Sequence, residues 1–393
     1  IYFMDLKKYR FISDVKINDP EYQIKSQQLD YFTESDKAFF YGKTSIKGKE
    51  YDIYCEKGTY ETKLQKGSFQ KNAIIFYNNK EIRGDSLYFE NERDYAAATN
   101  NISIIDTINK SVINGHYGEV FKSRDSAIIT RRAMAINIVD QDSLFIHADT
   151  LIATGPQEKR ILRGYYDVRI YKSDIRGKSD SLHLNQSSGL IKMLKLPLSR
   201  KENQIFTESQ KNARNPILWF GKSQMSGNKI FLTSNMKNQK LDSLKIIGNS
   251  WIIEKDSLSE TGFNQIKGGL LDGLFEDGKL VEIDITKNTE VIYYMYSEEN
   301  ELIGIDKTTC SSLKMITKDN QIVDITFFVS PDGQLLPEKD LPLNERKLKG
   351  FYWRGYERPK SISDLFSEED KKYQIKPIEN IKTPEPFQKN SVN

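Results

Sequence analysis

Short stretches of this chain alternate apolar and polar residues, and such stretches return every ten to fifteen residues. Leu87 and Phe89 share one parity, as do Ile102 and Ile104, then Leu144, Ile146 and Ala148, then Leu151 and Ala153. The same grammar continues at Leu182 and Leu184, at Leu190 and Ile191, at Ile230 and Leu232, at Leu244 and Ile246, and at Trp251 and Ile253. It is cleanest where Val281, Ile283 and Ile285 alternate with Glu282, Asp284 and Thr286, and it returns at Val323, Ile325, Phe327 and Val329. Side chains of one parity leave a strand on one face, so the pattern predicts an all-β protein with one greasy and one wet face per strand. Nothing from Phe11 to Phe69 has a helical period.

Two turn signals punctuate these stretches. One is aliphatic-polar-Gly, at Ile46-Lys47-Gly48, Ile82-Arg83-Gly84, Ile113-Asn114-Gly115, Leu162-Arg163-Gly164, Ile175-Arg176-Gly177, Met225-Ser226-Gly227 and Ile266-Lys267-Gly268. The other is Asp-Ser-Leu, at Asp85, Asp142, Asp180, Asp242 and Asp256. Each is expected to turn the chain into a strand, because Gly tolerates positive φ and Asp-Ser bonds turn backbone. Unequal spacing reads as degenerate repeats in a stack of short β-units. Further breakers are Asn18-Asp19-Pro20, Lys66-Gly67-Ser68, Asn91 to Asp94, Asn100-Asn101, Ser187-Ser188-Gly189 and the tight turn Glu276-Asp277-Gly278-Lys279.

The alternation lapses between Leu196 and Pro216, which reads as a loop or a seam between halves. The organisation expected is therefore a β-part over 1–200, a second over 201–335 continuing the stack, and a tail over 336–393. Seven of the 11 prolines fall at or after Pro331, and Ser330-Pro331-Asp332-Gly333 reads as the last firm turn. The tail offers one short helix from Ile362 to Asp370 capped by Ser361, and Phe351-Tyr352-Trp353 to pack back on the last rung. From about Tyr373, Pro377, Pro384 and Pro386 point to disorder.

Composition narrows the function. With 58 Lys+Arg against 55 Asp+Glu the formal charge is +3, and without a basic run nucleic acid is not an expected partner. No apolar run approaches the ~20 residues that span a bilayer, and Ile1 to Arg10 lacks the signal-peptide pattern. An initial Ile in place of Met suggests that something upstream was removed, which fits export. Cys55 and Cys310 form no CxxC and read as unpaired small hydrophobes rather than one long-range disulfide.

Candidate chemistry is thin. His116, His147 and His183 have no Cys or His at ligand spacing, and His147-Ala148-Asp149 reads as a surface or rim pair rather than a metal site. Gly268, Gly269 and Gly273 lack the Lys-Ser/Thr of a phosphate loop, and Arg83-Gly84-Asp85 is a chance match within the repeat. Outward acids such as Glu282 and Asp284 read as a solvated face. No enzyme activity, cofactor or metal is expected.

What stands out is the inward face, almost free of charge. The repeat grammar, above all Phe263-Asn264-Gln265-Ile266-Lys267-Gly268 followed by Leu274-Phe275-Glu276-Asp277-Gly278-Lys279-Leu280, resembles the OstA/LptA family of lipopolysaccharide-export proteins. Glu301-Leu302-Ile303-Gly304-Ile305-Asp306-Lys307, the segment Ile325 to Leu336, and Leu348-Lys349-Gly350-Phe351 resemble its longer, two-part members. The resemblance covers most of residues 11 to 360.

The resemblance implies a V-shaped or taco-like β-jellyroll of stacked antiparallel strands, in the periplasm and in association with the outer membrane. It implies lipopolysaccharide, held by its lipid A chains between the sheets, as the ligand. It also implies head-to-tail joining to other OstA/LptA-like domains of the export bridge or outer-membrane translocon. The family has no catalytic residues to carry over. The lipid-lining positions would be the inward Leu87, Phe89, Ile102, Ile104, Leu144, Ile146, Leu182, Leu184, Ile230, Leu232, Val281 and Ile283.

Elementary energetics are consistent with that expectation. A chain of about a dozen methylenes costs on the order of 10 kcal/mol to expose at ~0.8 kcal/mol per CH₂, so a lipid crossing water needs a greasy track. At about 24 residues per rung, some 330 residues give roughly 14 rungs and a slot ~65 Å long. Unpaired end strands would favour end-to-end β-augmentation. The alternative is a non-catalytic structural or surface-binding β-solenoid with a closed, packed interior. A carbohydrate-active solenoid would need clustered carboxylates on one exposed face, which the sequence does not show.

Overall fold

A computed structural model describes residues 1–77, 80–108, 110–137, 142–156, 159–238, 240–318 and 321–373. The chain is all-β, in two compact units. Unit 1 comprises residues 1–138, 150–154 and 366–393, and unit 2 comprises 139–149 and 155–365. The first ten strands are β1 (Tyr2–Phe3), β2 (Lys8–Asn18), β3 (Tyr22–Phe32), β4 (Lys37–Gly48), β5 (Tyr51–Glu61), β6 (Lys66–Tyr77), β7 (Lys80–Glu90), β8 (Tyr95–Asp106), β9 (Ser111–Phe121) and β10 (Ser126–Asn137). Each pairs antiparallel with the next, an up-and-down meander.

These strands are not straight. Alternate ones carry left-handed residues in mid-strand: Ser13 and Asp14 in β2, Gly42 in β4, Lys71 and Asn72 in β6, Asn100 and Asn101 in β8, Arg131 and Arg132 in β10. Ladder register shifts at each of these places, as at a bulge. Tyr51 and Tyr60 of β5 show how sharply the chain bends. Nine residues of straight strand span about 30 Å, yet their hydroxyls meet at 3.2 Å. One strand therefore supplies both walls of the interior.

The corners fall every 29 residues from Ser13 through Gly42 and Lys71 to Asn100. The terminal turns keep the same step, with Lys7, Asp36, Gln65 and Asp94 each at positive φ. Unit 1 is thus a regular two-strand repeat whose period the turn signals did not disclose. The glycines of the aliphatic-polar-Gly signal explain why. Gly84, Gly115, Gly164, Gly177 and Gly268 lie inside strands and have no positive φ, so they are not turn residues. Gly115 sits at a corner because a Cβ there would stand 2.5 Å from Ile129 Cγ2. Asn100-Asn101 likewise bends a strand without ending it, and Lys66-Gly67-Ser68 opens β6.

The remaining strands are β11 (Leu144–Thr154), β12 (Ile161–Tyr171), β13 (Ile175–Asn185), β14 (Leu190–Leu194), β15 (Ile217–Phe220), β16 (Ser223–Ser226), β17 (Lys229–Ser234), β18 (Leu241–Lys255), β19 (Phe263–Glu276), β20 (Lys279–Tyr296), β21 (Leu302–Lys318), β22 (Gln321–Phe328) and β23 (Asp332–Leu336). In unit 2 β13 pairs along one edge with both β14 and β15, and β18 pairs with both β17 and β16. With β14–β17 and β15–β16 also paired, these six strands close into a ring. Pairing therefore runs across residue 200, since β13 and β14 precede it and β15 and β17 follow it. The stretch read as a loop holds two short helices, α1 (Arg200–Ile205) and α2 (Glu208–Ala213), each begun by a capping box at Ser199 or Thr207.

Corners recur in unit 2 at Tyr166-Asp167, Gly248-Asn249 and Lys287-Asn288. Val329 and Ser330 form another, so Ser330-Pro331-Asp332-Gly333 is the last bend between described strands but a corner and not a hairpin: β22 and β23 lie in succession along β21. Val323 and Val329 are exposed there, against the inward placement their alternation suggests.

From Pro337 to Leu365 the chain runs in 3₁₀ turns, including Ile362–Leu365 and, in unit 1, Asp370–Tyr373, in place of the single helix expected over Ile362 to Asp370. Leu341 and Leu348 enter a core of Trp251, Ile253, Ile292, Tyr294 and Ile305, with Phe351 and Trp353 packed on it as the aromatic triplet suggested. The expected disorder falls almost wholly at 374–393, outside the described residues.

Candidate functional site

In unit 1 the interior is built from three rows of side chains that cross the strands. Pairing aligns Ile24, Ile46, Ile53, Ile75, Ile82, Ile104 and Ile113 into one row. Beyond the corner runs Leu29, Phe40, Gly58, Phe69, Leu87, Ala98, Gly118 and Ile129. Nearer the strand ends runs Tyr31, Ala38, Tyr60, Gly67, Phe89, Ala96, Val120 and Ala127. Large residues alternate with glycine or alanine early in these rows, so Phe40, Tyr60 and Phe69 fill the space completely, each at 0% exposure.

Later the rows thin. Ile129 closes over Gly118, where a Cβ would stand 2.7 Å from it, but beside Ala96 and Val120 an apolar crevice of about 40 Å³ opens between Ile75, Ile82, Phe89, Tyr95, Ala96 and Val120. A narrower continuation reaches Leu87, Ala98, Ile102, Ile104, Gly118 and Ile129. A water's share of liquid is about 30 Å³, so the crevice as it stands is far smaller than a hydrocarbon chain.

Its rim is aromatic and charged. Tyr51 lies against Phe89 with ring centroids 4.7 Å apart. Lys122, from the turn after β9, reaches Glu50 at 2.6 Å and Asp94 at 3.6 Å, and stands 4.9 Å over the Tyr77 ring. Burial works against the Lys122 charge, but Glu50 and Tyr77 outweigh it and hold its pKa above the ordinary value. Glu50 is correspondingly held down by Lys122. Burial, aided by the neighbouring Glu119, pushes Tyr95 up to about 12. The rim thus presents one firmly charged ammonium over an oily floor.

Of the expected lining residues, Leu87, Ile102, Ile104, Ile146, Leu182, Leu184, Ile230, Leu232 and Ile283 are buried, while Phe89, Leu144 and Val281 are half-buried. Leu87, Phe89, Ile102 and Ile104 meet at the crevice. The unit 2 positions belong to that unit's own packing. Val281 is displaced because register slips between Leu274 and Phe275, pairing Phe275 with Leu280 and leaving Val281 unpaired, so that Leu280 turns inward. Sequence reading missed Ala96, Ala98, Gly118 and Lys122; the run Ala96-Ala97-Ala98 was the available signal.

The remaining candidates separate. His116 Nδ1 accepts the Asn101 backbone N–H at 3.2 Å, and His183 faces Tyr165 edge-on. His147 is buried at 0% exposure while Asp149 is exposed, so His147 is not the surface residue expected. Among the described residues no group of three or more His, Cys, Asp or Glu is placed to hold a metal. Cys55 and Cys310 are buried and unpaired, as expected, and burial pushes the Cys55 thiol up to about 12.

The sheet does bring acids together that looked scattered: Asp272 pairs with Asp284 across β19 and β20, beside Glu282, in a surface groove of about 390 Å³. Lys245 meets Asp272 at 2.9 Å and Lys314 meets Glu282 at 2.6 Å, so they form a charge ladder with lysines. No described helix is long and apolar enough to cross a membrane.

No family model and no curated protein matches the chain. Among solved structures, the crystal structure of LptH, the LptA-homologous periplasmic component of the lipopolysaccharide transport device of Pseudomonas aeruginosa, is similar at a TM-score of 0.28 and 9% identity, covering 31% of this chain and 85% of that one. A likeness so slight carries no argument.

Proposed function

We propose that this chain is a non-catalytic carrier of amphiphilic lipid, with unit 1 as a V-shaped or taco-like jellyroll that shields acyl chains between its two walls. The observation that supports this reading is the thinning of the inward rows at Ala96 and Val120, where the crevice opens. A scaffold needs no such thinning, and the same rows are filled by Phe40, Tyr60 and Phe69 a few strands away. The crevice lies beneath Lys122, whose ammonium is shared by Glu50 and Asp94 and can turn to the anionic head of an oily-tailed ligand once the Glu50 pair parts. The pair that bridges the mouth, Glu50 and Lys122, is exposed enough for water and salt to weaken it, so parting the rim costs little.

Lipopolysaccharide as the ligand, the periplasm as the location and other OstA/LptA-like domains as edge partners belong to this proposal. The closed scaffold remains the second reading, favoured by the small resting volume of the crevice. One experiment separates them. Photo-crosslinkers at Leu87 and Ile104 are expected to label with lipopolysaccharide, and Ala96→Leu, which fills the crevice, is expected to abolish labelling without loss of fold. Labelling equal to that at the exposed Glu34, or indifferent to Ala96→Leu, leaves the scaffold.

A further inference from the structure

The crevice in unit 1 narrows toward one side chain. From beneath Lys122 it passes Ala96 and Val120, which line both the open part and the continuation of about 10 Å³. Among the described residues lining that continuation, Ile129 alone comes from β10, and it takes no part in lining the open part.

Two glycines of β9 show what Ile129 does there. Gly115 and Gly118 leave hollows in the inward face: an added Cβ would stand 2.5 Å from Ile129 Cγ2 at the first and 2.7 Å from Ile129 Cδ1 at the second. Ile129 fills each hollow with one methyl group and is itself buried at 2% exposure. In the cross-strand row Leu87, Ala98, Gly118, Ile129 the two middle members fill almost nothing. How far the Ile129 side chain reaches over Gly118 therefore decides where open space stops. A β-branched side chain is stiff at χ1, so this wall does not swing aside readily.

We propose that Ile129 determines which hydrocarbon tail the crevice accepts. Lys122 holds an anionic head at the mouth, Ile129 Cδ1 stops the far end, and the two together measure the tail between them. The inference rests on the reading that this crevice shields acyl chains, and it names the residue that selects among them.

The test uses the full chain and the saturated fatty acids from octanoate to stearate, titrated by isothermal calorimetry below their micelle concentrations. Affinity for the unaltered chain is expected to climb about fourfold per methylene until the tail meets Ile129, and to level off beyond that length. Ile129→Val removes Cδ1 and should move the levelling-off to tails longer by about one methylene, and Ile129→Ala by about two or three. A merely loosened fold lowers affinity for every tail alike and leaves that length where it was. Phe40→Leu, in the filled part of the rows, supplies this control. A length that stays put in both Ile129 variants overturns the inference and leaves the carrier reading standing, and so does a length that moves equally in Phe40→Leu. No binding of any member by the unaltered chain overturns the carrier reading, and this inference with it.

Discussion

Gly115 and Asn101 show what the corners require. Gly115 has no special φ, yet an added Cβ would meet Ile129 at 2.5 Å and the Thr130 carbonyl at 3.1 Å. Gly115→Ala is therefore expected to cost roughly 1–3 kcal/mol by overpacking, measured by urea unfolding, and more than Gly84→Ala, whose nearest neighbour is the mobile end of Leu87 at 3.0 Å. Asn101 is left-handed, its N–H bonds His116 and its side chain bonds Asp85. Asn101→Val should destabilise by about 1–3 kcal/mol, since a β-branched residue resists that backbone region. Ile283 is buried, and Ile283→Asp should cost several kcal/mol because an unpaired carboxylate must be desolvated; an unchanged melting temperature would refute its inward placement. The inward parity of most aliphatic positions was legible in the alternation. Glycine gave a misleading signal, because the same residue that permits a turn also permits close approach in mid-strand.

At the level of elements, the C-terminal segment yields a pH prediction. Burial pushes the Glu357 carboxyl up, but Arg354 and Lys178 outweigh it and hold its pKa at about 2. A group whose folded pKa lies below its unfolded value adds stability above the unfolded value, near 4.5. That stability fades as pH falls through the interval down to about 2. Stability in urea unfolding should thus be flat from neutral pH to about 4.5 and fall below it; Glu357→Gln should be less stable at neutral pH and lose this dependence. The sequence marked Phe351 to Trp353 as packing back, but not the glutamines that receive the segment. Gln224 and Gln265, which bond the segment's backbone, look like outward polar positions until the fold encloses them.

On the scale of the whole molecule, edges matter most. In unit 1 β2 is covered only where Tyr2 and Phe3 pair with it, and in unit 2 β22 and β23 leave Val323, Phe328 and Leu335 exposed. Strands of this kind recruit partners unless charged. Val323→Lys with Phe328→Lys is expected to shift a concentration-dependent assembly toward monomer in analytical ultracentrifugation; a chain that is monomeric with and without the changes would exclude edge pairing through β22.

The alternation by itself determined the all-β class, most inward residues and several turns, because a period of two is a property of one strand and needs no neighbour. The tertiary structure decided what depends on neighbours. Where the corners fall, where the rows thin to Ala96 and Val120, how register slips past Val281, and which segment closes unit 2 are set by side chains that meet across strands and are remote in sequence.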